Sequence, residues 1–182
     1  LIAAVDQDFG GRPAAETQAL EFVPLYAQIA HARRHLARWM RRRRVAGSPF
    51  LWPARAFWEY QPLGVVGVIG AWNYPILLTL GPAVEALAAG NRVVLKPSEL
   101  APRTAEALAA LVAGAFPPEQ LATVTGGVQV ARDFSAQPWD HLVFTGSTRV
   151  GREVMAAAAR NLTPVTLELG GKSPAILHDS AD

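Results

Sequence analysis

Short apolar segments alternate with helix-like segments along residues 64–177 of this 182-residue chain. The apolar segments are strand-sized and lack the polar alternation of a half-exposed sheet, which is typical of parallel strands covered on both faces. Together with the intervening helices, they predict right-handed βαβ crossovers and a doubly wound parallel sheet in an α/β fold. Strands are expected at residues 64–70, 92–95, 121–125, 141–145, 165–169 and 175–177, and helices at 76–89, 104–115, after 126–127 toward 133, and 148–160.

The first 60 residues follow a different pattern. Apolar positions from 14 to about 45 recur near helical spacing, and Pro24 is expected to break or kink this helix. Residues 50–60 are rich in aromatic and β-prone types, and Pro53 favours an edge position there. The expected division is a helical arm at 1–48, an extended ribbon suited to oligomerisation at 49–61, and an α/β domain at 62–182.

Composition excludes several classes of protein. The net charge is only +2, so the sequence pI of about 9.4 does not indicate a nucleic-acid partner. The dense basic run at 41–44 is interpreted as a solvated helix face, with phosphate binding as the alternative. No apolar run is long enough to cross a bilayer, and nothing at the start resembles a signal peptide. We therefore expect a cytoplasmic protein without a membrane partner, and interpret the start at Leu1 as a trimmed sequence.

The chain contains no cysteine. Neither a disulfide nor a thiolate nucleophile is therefore available within these 182 residues. His31 and His35 lie four positions apart on an expected helix, but no acidic residue accompanies them. We expect no metal site.

One glycine-containing segment, FTGSTRVG, runs from an expected strand directly into a helix. Gly146 permits close approach of the backbone, and Ser147 or Thr148 can cap the helix. The free N–H groups at the helix start would then face an anion such as a phosphate. Gly151 leaves room for the helix to lie against the sheet. An ordinary strand-to-helix turn is the alternative reading.

Two further motifs follow expected strands. Lys96 and Glu99 lie three residues apart on a proline-containing loop, and together they could hold the two hydroxyls of a ribose; a solvated turn is the alternative. Asn73 follows the first core strand, between Trp72 and Tyr74. An uncharged amide there is suited to stabilising a developing oxyanion, whereas a turn-forming asparagine is the alternative.

A lone carboxylate, Glu168, interrupts the apolar run at 165–169. Burial in such a run disfavours the charged form, which suits a general base. The glycine pair that follows it would let the chain turn aside for a ligand. An ion pair with Lys172 or Arg152 is the alternative explanation.

The four motifs occur in the order PLGVVGVIGAWNYP, LKPSE, FTGSTRVG and LELGGKSPA. In this order and approximate spacing they resemble the aldehyde dehydrogenase superfamily, and LTPVTLELGGKSPAI is most similar to its class 3 branch. The arm, with DFGGR and HARRHLARWM, resembles the coniferyl aldehyde dehydrogenases of that branch. The resemblance implies a Rossmann-like fold and a dinucleotide-binding domain at 62–182. It also implies oxidation of an aldehyde with NAD, with NADP possible, by a homodimer.

The resemblance also assigns roles to individual residues. Asn73 matches the donor to the oxyanion, and Glu168 matches the general base that activates the deacylating water. Lys96 and Glu99 match the pair that binds the adenosine ribose, and the carboxylate favours NAD over a 2′-phosphate. The other expected cofactor-binding residues are Trp72, Phe144, Gly146, Ser147, Gly151, Leu169 and Gly170.

The chain departs from the family pattern in one respect: the nucleophilic cysteine of the family lies beyond the ELGGK glutamate and is absent here. A catalytically inactive nucleotide-binding fragment or pseudoenzyme is therefore the first alternative function. A reductase of acyl phosphates or semialdehydes is the second, although a water-activating glutamate argues against it. The third makes the ribbon and the basic arm an interaction platform.

Overall fold

The computed structural model describes residues 1–180, which form an α/β domain with an amino-terminal helical segment packed against it. The helices are α1 (Ile2–Phe9), α2 (Ala14–Thr17), α3 (Val23–Trp39), α4 (Leu77–Ala88), α5 (Pro102–Ala115), α6 (Val128–Ser135) and α7 (Thr148–Ala159). The strands are β1 (Arg43–Val45), β2 (Ala56–Trp58), β3 (Val65–Ile69), β4 (Arg92–Lys96), β5 (Leu121–Thr123), β6 (His141–Gly146) and β7 (Val165–Leu169).

Five of the strands form one parallel sheet in the order β5-β4-β3-β6-β7. The chain builds outward from β3 to β4 and β5, then crosses back to place β6 and β7 on the other side of β3. This order confirms the predicted Rossmann-like doubly wound sheet. Ile69 is in register with Lys96 on one side and with Phe144 on the other, so the strands end at a common rim. In such folds ligands bind at that rim, where the winding direction reverses.

Side chains of the central strand, β3, pack in two separate hydrophobic cores, one on each face of the sheet, because successive residues of a strand point to opposite faces. Val66 and Val68 pack on the face covered by α4 and α5. Ile69 packs on the opposite face with Phe134 of α6 and Val154 of α7. Full burial of an aliphatic side chain contributes about 1.5–3 kcal/mol, so both faces hold the sheet rigidly between helices.

The arm is an almost continuous helix from α2 to α3, with a π-helical turn at Gln18–Phe22 between them. Pro24 directly follows the π-helical turn, and its ring nitrogen removes one helical N–H donor at this point of the arm. The irregularity predicted at Pro24 therefore takes the form of a π-helical turn and not of a break in the helix. Val5 and Leu25 bury their side chains against Ile76 at the start of α4.

The ribbon has two strands. Arg43–Val45 pairs in antiparallel fashion with Ala56–Trp58, so one of its strands comes from residues that the sequence analysis placed in the arm. A 3₁₀ turn at Pro49–Leu51 lies between them, started by the Ser48 hydroxyl, which accepts a hydrogen bond from Phe50 N–H. The ribbon carries exposed aromatic side chains, namely Phe50, Trp52, Phe57, Trp58 and Tyr60.

The expected strand at 175–177 is wrong. These residues have no regular structure, and Ile176 and Leu177 are 91% and 88% exposed. A three-residue apolar run carries too little signal to specify a strand, and no described strand pairs with it. Helix α1 lies within the predicted helical arm at 1–48, although it precedes the periodic stretch from residue 14 on which that prediction rests. No helix among residues 1–180 combines the length and the apolar character needed to cross a membrane.

Candidate functional site

A groove of about 790 Å³ lies at the rim of the sheet, at the carboxyl ends of β3 and β6. It extends from the loop after β3, past the turn between β6 and α7, to the end of β7. Two of the predicted residues, Lys96 and Gly151, lie outside its lining. The other predicted residues line it together, namely Trp72, Asn73, Glu99, Phe144, Gly146, Ser147, Glu168, Leu169 and Gly170.

Carboxylates of the amino-terminal segment occupy two of the helix starts at this rim. Glu21 Oε2 accepts hydrogen bonds from the backbone N–H groups of Ile76 (2.7 Å) and Leu77 (3.1 Å) at the start of α4. Asp8 accepts from the N–H groups of Arg103 (3.1 Å) and Thr104 (2.8 Å) at the start of α5. An intramolecular anion thus already satisfies the positive ends of α4 and α5.

Helix α7 starts differently. Its cap is the hydroxyl of Ser147, which accepts from Val150 N–H at 3.3 Å, and no carboxylate hydrogen bond to this helix start is present among residues 1–180. Ser147 also lines the groove. The start of α7 is therefore the one at which the groove offers a helix dipole and backbone N–H groups to an external phosphate.

Gly146 and Gly151 are required by close packing. A Cβ added at Gly151 would lie 2.8 Å from Leu169 Cδ2, so the absence of a side chain lets α7 lie directly on β7. A Cβ at Gly146 would collide with the ring of Phe144. Neither glycine has a positive φ angle, so packing and not backbone conformation favours glycine at these two positions.

The Lys96 and Glu99 side chains form an ion pair, with Nζ 2.7 Å from Oε2. Lys96 is fully buried and also donates to the Pro97 carbonyl at 2.9 Å, whereas Glu99 is partly exposed to the groove. Partial burial opposes ionisation of Glu99. The Lys96 hydrogen bond, with the Glu99 backbone N–H and the ammonium charge, outweighs it and lowers the pKa of Glu99. In this geometry Lys96 holds Glu99 ionised, and the carboxylate is the group that faces the groove.

Glu168 differs from the expectation. It is exposed, not buried, because β7 is the last strand of the sheet order and its polar face has no covering element among residues 1–180. The alternative ion pair is not present either, since neither Lys172 nor Arg152 pairs with Glu168 in the described part of the chain. Its position in the groove is set by register with Thr145 of β6.

Three charged residues that support this rim were not predicted from the sequence, namely Asp8, Arg12 and Glu21. A signal for Glu21 was available in the spacing: it lies four residues before Leu25 and eight before Ile29, on the apolar face of the expected helix. An acid at a core-facing position needs a specific partner. Burial raises the pKa of Glu21, opposed by the Leu77 and Ile76 N–H groups and by the Arg12 charge.

The sheet order and the rim groove define a Rossmann-like nucleotide-binding fold. The family model described as "Aldehyde dehydrogenase family" matches residues 2–182. The chain belongs to the aldehyde dehydrogenase family.

Two relatives have similar sequences. A probable coniferyl aldehyde dehydrogenase of Pseudomonas aeruginosa is 55% identical over 181 residues, which are 99% of this chain and 38% of the relative. The coniferyl aldehyde dehydrogenase of Pseudomonas sp. strain HR199 is 51% identical over 98% of this chain and 37% of its own length. The chain thus spans somewhat over a third of the length of these relatives.

Solved structures of other proteins have a similar fold. The substrate-bound aldehyde dehydrogenase AldH of Staphylococcus aureus superposes with a TM-score of 0.87 at 32% identity, over 100% of this chain and 43% of that one. An aldehyde dehydrogenase of Mycobacterium tuberculosis, in complex with NAD+, superposes with a TM-score of 0.78 at 33% identity, over 94% of this chain and 38% of that one.

Proposed function

We propose that the whole protein that carries this chain oxidises an aldehyde to a carboxylic acid with a nicotinamide dinucleotide. The chain supplies the cofactor site, the oxyanion amide and the general base. One observation carries this proposal: Asn73, Glu99, Ser147 and Glu168 line a single groove at the rim of one sheet. Family membership and the names of the relatives support the same reaction.

Asn73 and Glu168 act in different steps. A cysteine thiolate from outside these 182 residues adds to the aldehyde carbonyl, and the Asn73 amide donates a hydrogen bond to the resulting oxyanion. A bound nicotinamide would supply the hydride acceptor, and loss of the hydride from the adduct would leave a thioester on the cysteine. Glu168 then removes a proton from a water molecule as that water attacks the thioester, so the acid and the thiolate are released. Exposure of Glu168 to the groove suits this step, because the side chain must reach water.

The start of α7 binds the pyrophosphate, since it is the helix start at the groove that an intramolecular carboxylate does not fill. Glu99 accepts hydrogen bonds from the ribose hydroxyls, and Lys96 holds it ionised. Trp72 and Phe144 add aromatic rings to the lining of the groove. NAD is the preferred cofactor, because a carboxylate at the ribose repels a 2′-phosphate.

The remaining assignments follow from relatives and from surface chemistry. The printed names of the relatives make an aromatic aldehyde such as coniferyl aldehyde the first substrate to test. The exposed aromatic side chains of the ribbon make it the contact surface of a homodimer. The protein is proposed to act in the cytoplasm.

A second function deserves a test because these residues contain no cysteine. A chain without a nucleophile would bind the dinucleotide and turn nothing over. Sequencing the gene past the codon for Asp182 separates the two functions, since aldehyde oxidation requires a following segment with a cysteine. Assay of the whole protein with NAD+ and an aldehyde should then give equal amounts of acid and NADH. An open reading frame that lacks cysteine, or formation of an acyl phosphate that requires inorganic phosphate, would overturn the oxidation proposal.

A further inference from the structure

The loop that carries Asn73 is held by the amino-terminal segment through three successive residues. The ring of Phe9, the last residue of α1, stacks on Trp72 with centroids 6.1 Å apart. Arg12 Nη1 donates a hydrogen bond to the backbone oxygen of Asn73 at 3.0 Å. The same guanidinium lies 5.0 Å from the ring centroid of Tyr74, within cation–π range.

Arg12 is itself fixed. It is 7% exposed, and its nitrogens lie within ion-pair distance of Glu16 (3.2 Å) and of the fully buried Glu21 (3.4 Å). Glu21 in turn binds the start of α4, which directly follows the Asn73 loop. One buried ion pair therefore connects both ends of the segment from Asn73 to Leu77.

The side chain of Asn73 has no hydrogen bond to protein among residues 1–180. Its orientation consequently depends on the conformation of its own backbone, and the Arg12 bond is made to that backbone. Asn73 lies between two cavities: it lines the large groove and also a cleft of about 420 Å³ whose other walls include Arg12. Arg12 lines this cleft and is not part of the groove lining.

We propose that Arg12 is a positioning residue for the Asn73 amide. By fixing the backbone oxygen of Asn73, it directs the side chain to the place where the oxyanion develops. The inference rests on the proposed role of Asn73. An oxyanion donor must lie within a narrow range of distances, and a displacement of about 1 Å can slow turnover by about 10²-fold.

The test compares Arg12→Met with Arg33→Met in the whole protein, since Arg33 is an exposed arginine on α3. Arg12→Met should lower kcat by about 10²-fold while the Kd for NAD+ stays unchanged. Arg12→Lys keeps the charge but not the planar donor, so its kcat should lie between those of Arg12→Met and the wild type. If Arg12→Met fails to fold, Arg12→Lys serves as the test. Arg33→Met should behave like the wild type. Unchanged kcat in folded Arg12→Met would overturn the inference.

A double-variant comparison separates this inference from the proposed function. If Arg12 acts through Asn73, adding Arg12→Met to Asn73→Ala should slow turnover no further. If the loss of turnover in the double variant equals the product of the two single losses, Arg12 acts independently of Asn73. That result would overturn the positioning inference but not the proposed function. Near-normal turnover of Asn73→Ala by itself would refute the oxyanion role, and the positioning inference with it. Hydrogen exchange of residues 72–77 should be faster in Arg12→Met than in Arg33→Met, and equal exchange would also contradict it.

Discussion

The carboxylate of Glu21, on the helical arm, accepts a hydrogen bond from the backbone N–H of Ile76 at 2.7 Å, although the two residues are 55 positions apart. The arm is thereby part of the support of the loop that precedes Ile76. Since Glu21 is fully buried, this contact also makes the stability of the fold depend on pH.

We expect Glu21 to favour folding most strongly at low pH. Its pKa is raised above the usual 4.5 in the folded state, so the folded chain binds more protons than the unfolded chain between these two values. The free energy of unfolding therefore falls as pH rises through that window, and the stabilisation is complete below 4.5. Urea unfolding at a series of pH values should show this fall in the wild type and lose it in Glu21→Gln. Glu106→Gln, at an exposed position of α5, should keep the wild-type profile.

Gly151 should be sensitive to a single added methyl group. Gly151→Ala places a Cβ 2.8 Å from Leu169 Cδ2, so the Leu169 side chain must leave its rotamer, at a cost of about 0.5–1.5 kcal/mol that offsets the gain from a helical alanine. Gly114→Ala is the matched control: this glycine is also helical, in α5, but its Cβ would meet nothing within 4 Å. That change should add about 0.5–1 kcal/mol to the free energy of unfolding. Equal effects in denaturant unfolding would argue against the close α7–β7 contact.

Asn73→Ala should slow turnover of the whole protein by about 10²–10³-fold, the usual cost of removing one oxyanion donor. The Kd for NAD+ should change little, since the lost hydrogen bond serves the reacting carbonyl. Asn161→Ala is a suitable control, because Asn161 follows α7 and its side-chain amide donates to the Ala136 carbonyl, away from the groove lining. A turnover number for Asn73→Ala near that of Asn161→Ala would remove Asn73 from the chemistry.

Glu168→Gln should separate hydride transfer from deacylation. The variant keeps the shape of the side chain but cannot remove a proton from water, so the thioester should accumulate. Stopped-flow absorbance should record a full burst of NADH followed by a steady state slower than in the wild type. Loss of the burst with normal deacylation would assign Glu168 to the earlier step instead.

The sheet was predictable from sequence because its determinants are local. Val65–Ile69 is apolar throughout since it is covered on both faces, and the polar motifs follow the strands directly. The convergence of Asn73, Glu99 and Glu168 on one groove follows from parallel strand order. Neighbouring parallel strands end at the same edge of the sheet, so the residues that follow them lie close together. This convergence can be predicted once the strands are located in the sequence.

The contacts of the arm were not predictable in the same way. The bond from Arg12 to Asn73 joins residues 61 positions apart, and no periodic pattern encodes such a pairing. Burial of Glu168 was wrongly expected for a related reason: an apolar run indicates a buried strand, but the polar face of β7 lies open at the sheet edge. Local sequence predicts a strand or helix more reliably than it predicts which other elements pack over that strand or helix.

The central claim is that one dinucleotide binds in the rim groove, with its ribose on Glu99. Isothermal titration of the whole protein with NAD+ tests it most directly, comparing the wild type with Glu99→Gln and with the exposed-surface control Glu106→Gln. We predict that the wild type binds one NAD+ per chain. Glu99→Gln should bind NAD+ about tenfold more weakly and should discriminate less against NADP+ than the wild type does. Glu106→Gln should bind NAD+ as the wild type does. Absence of saturable binding, or equal affinity in all three proteins, would contradict the account.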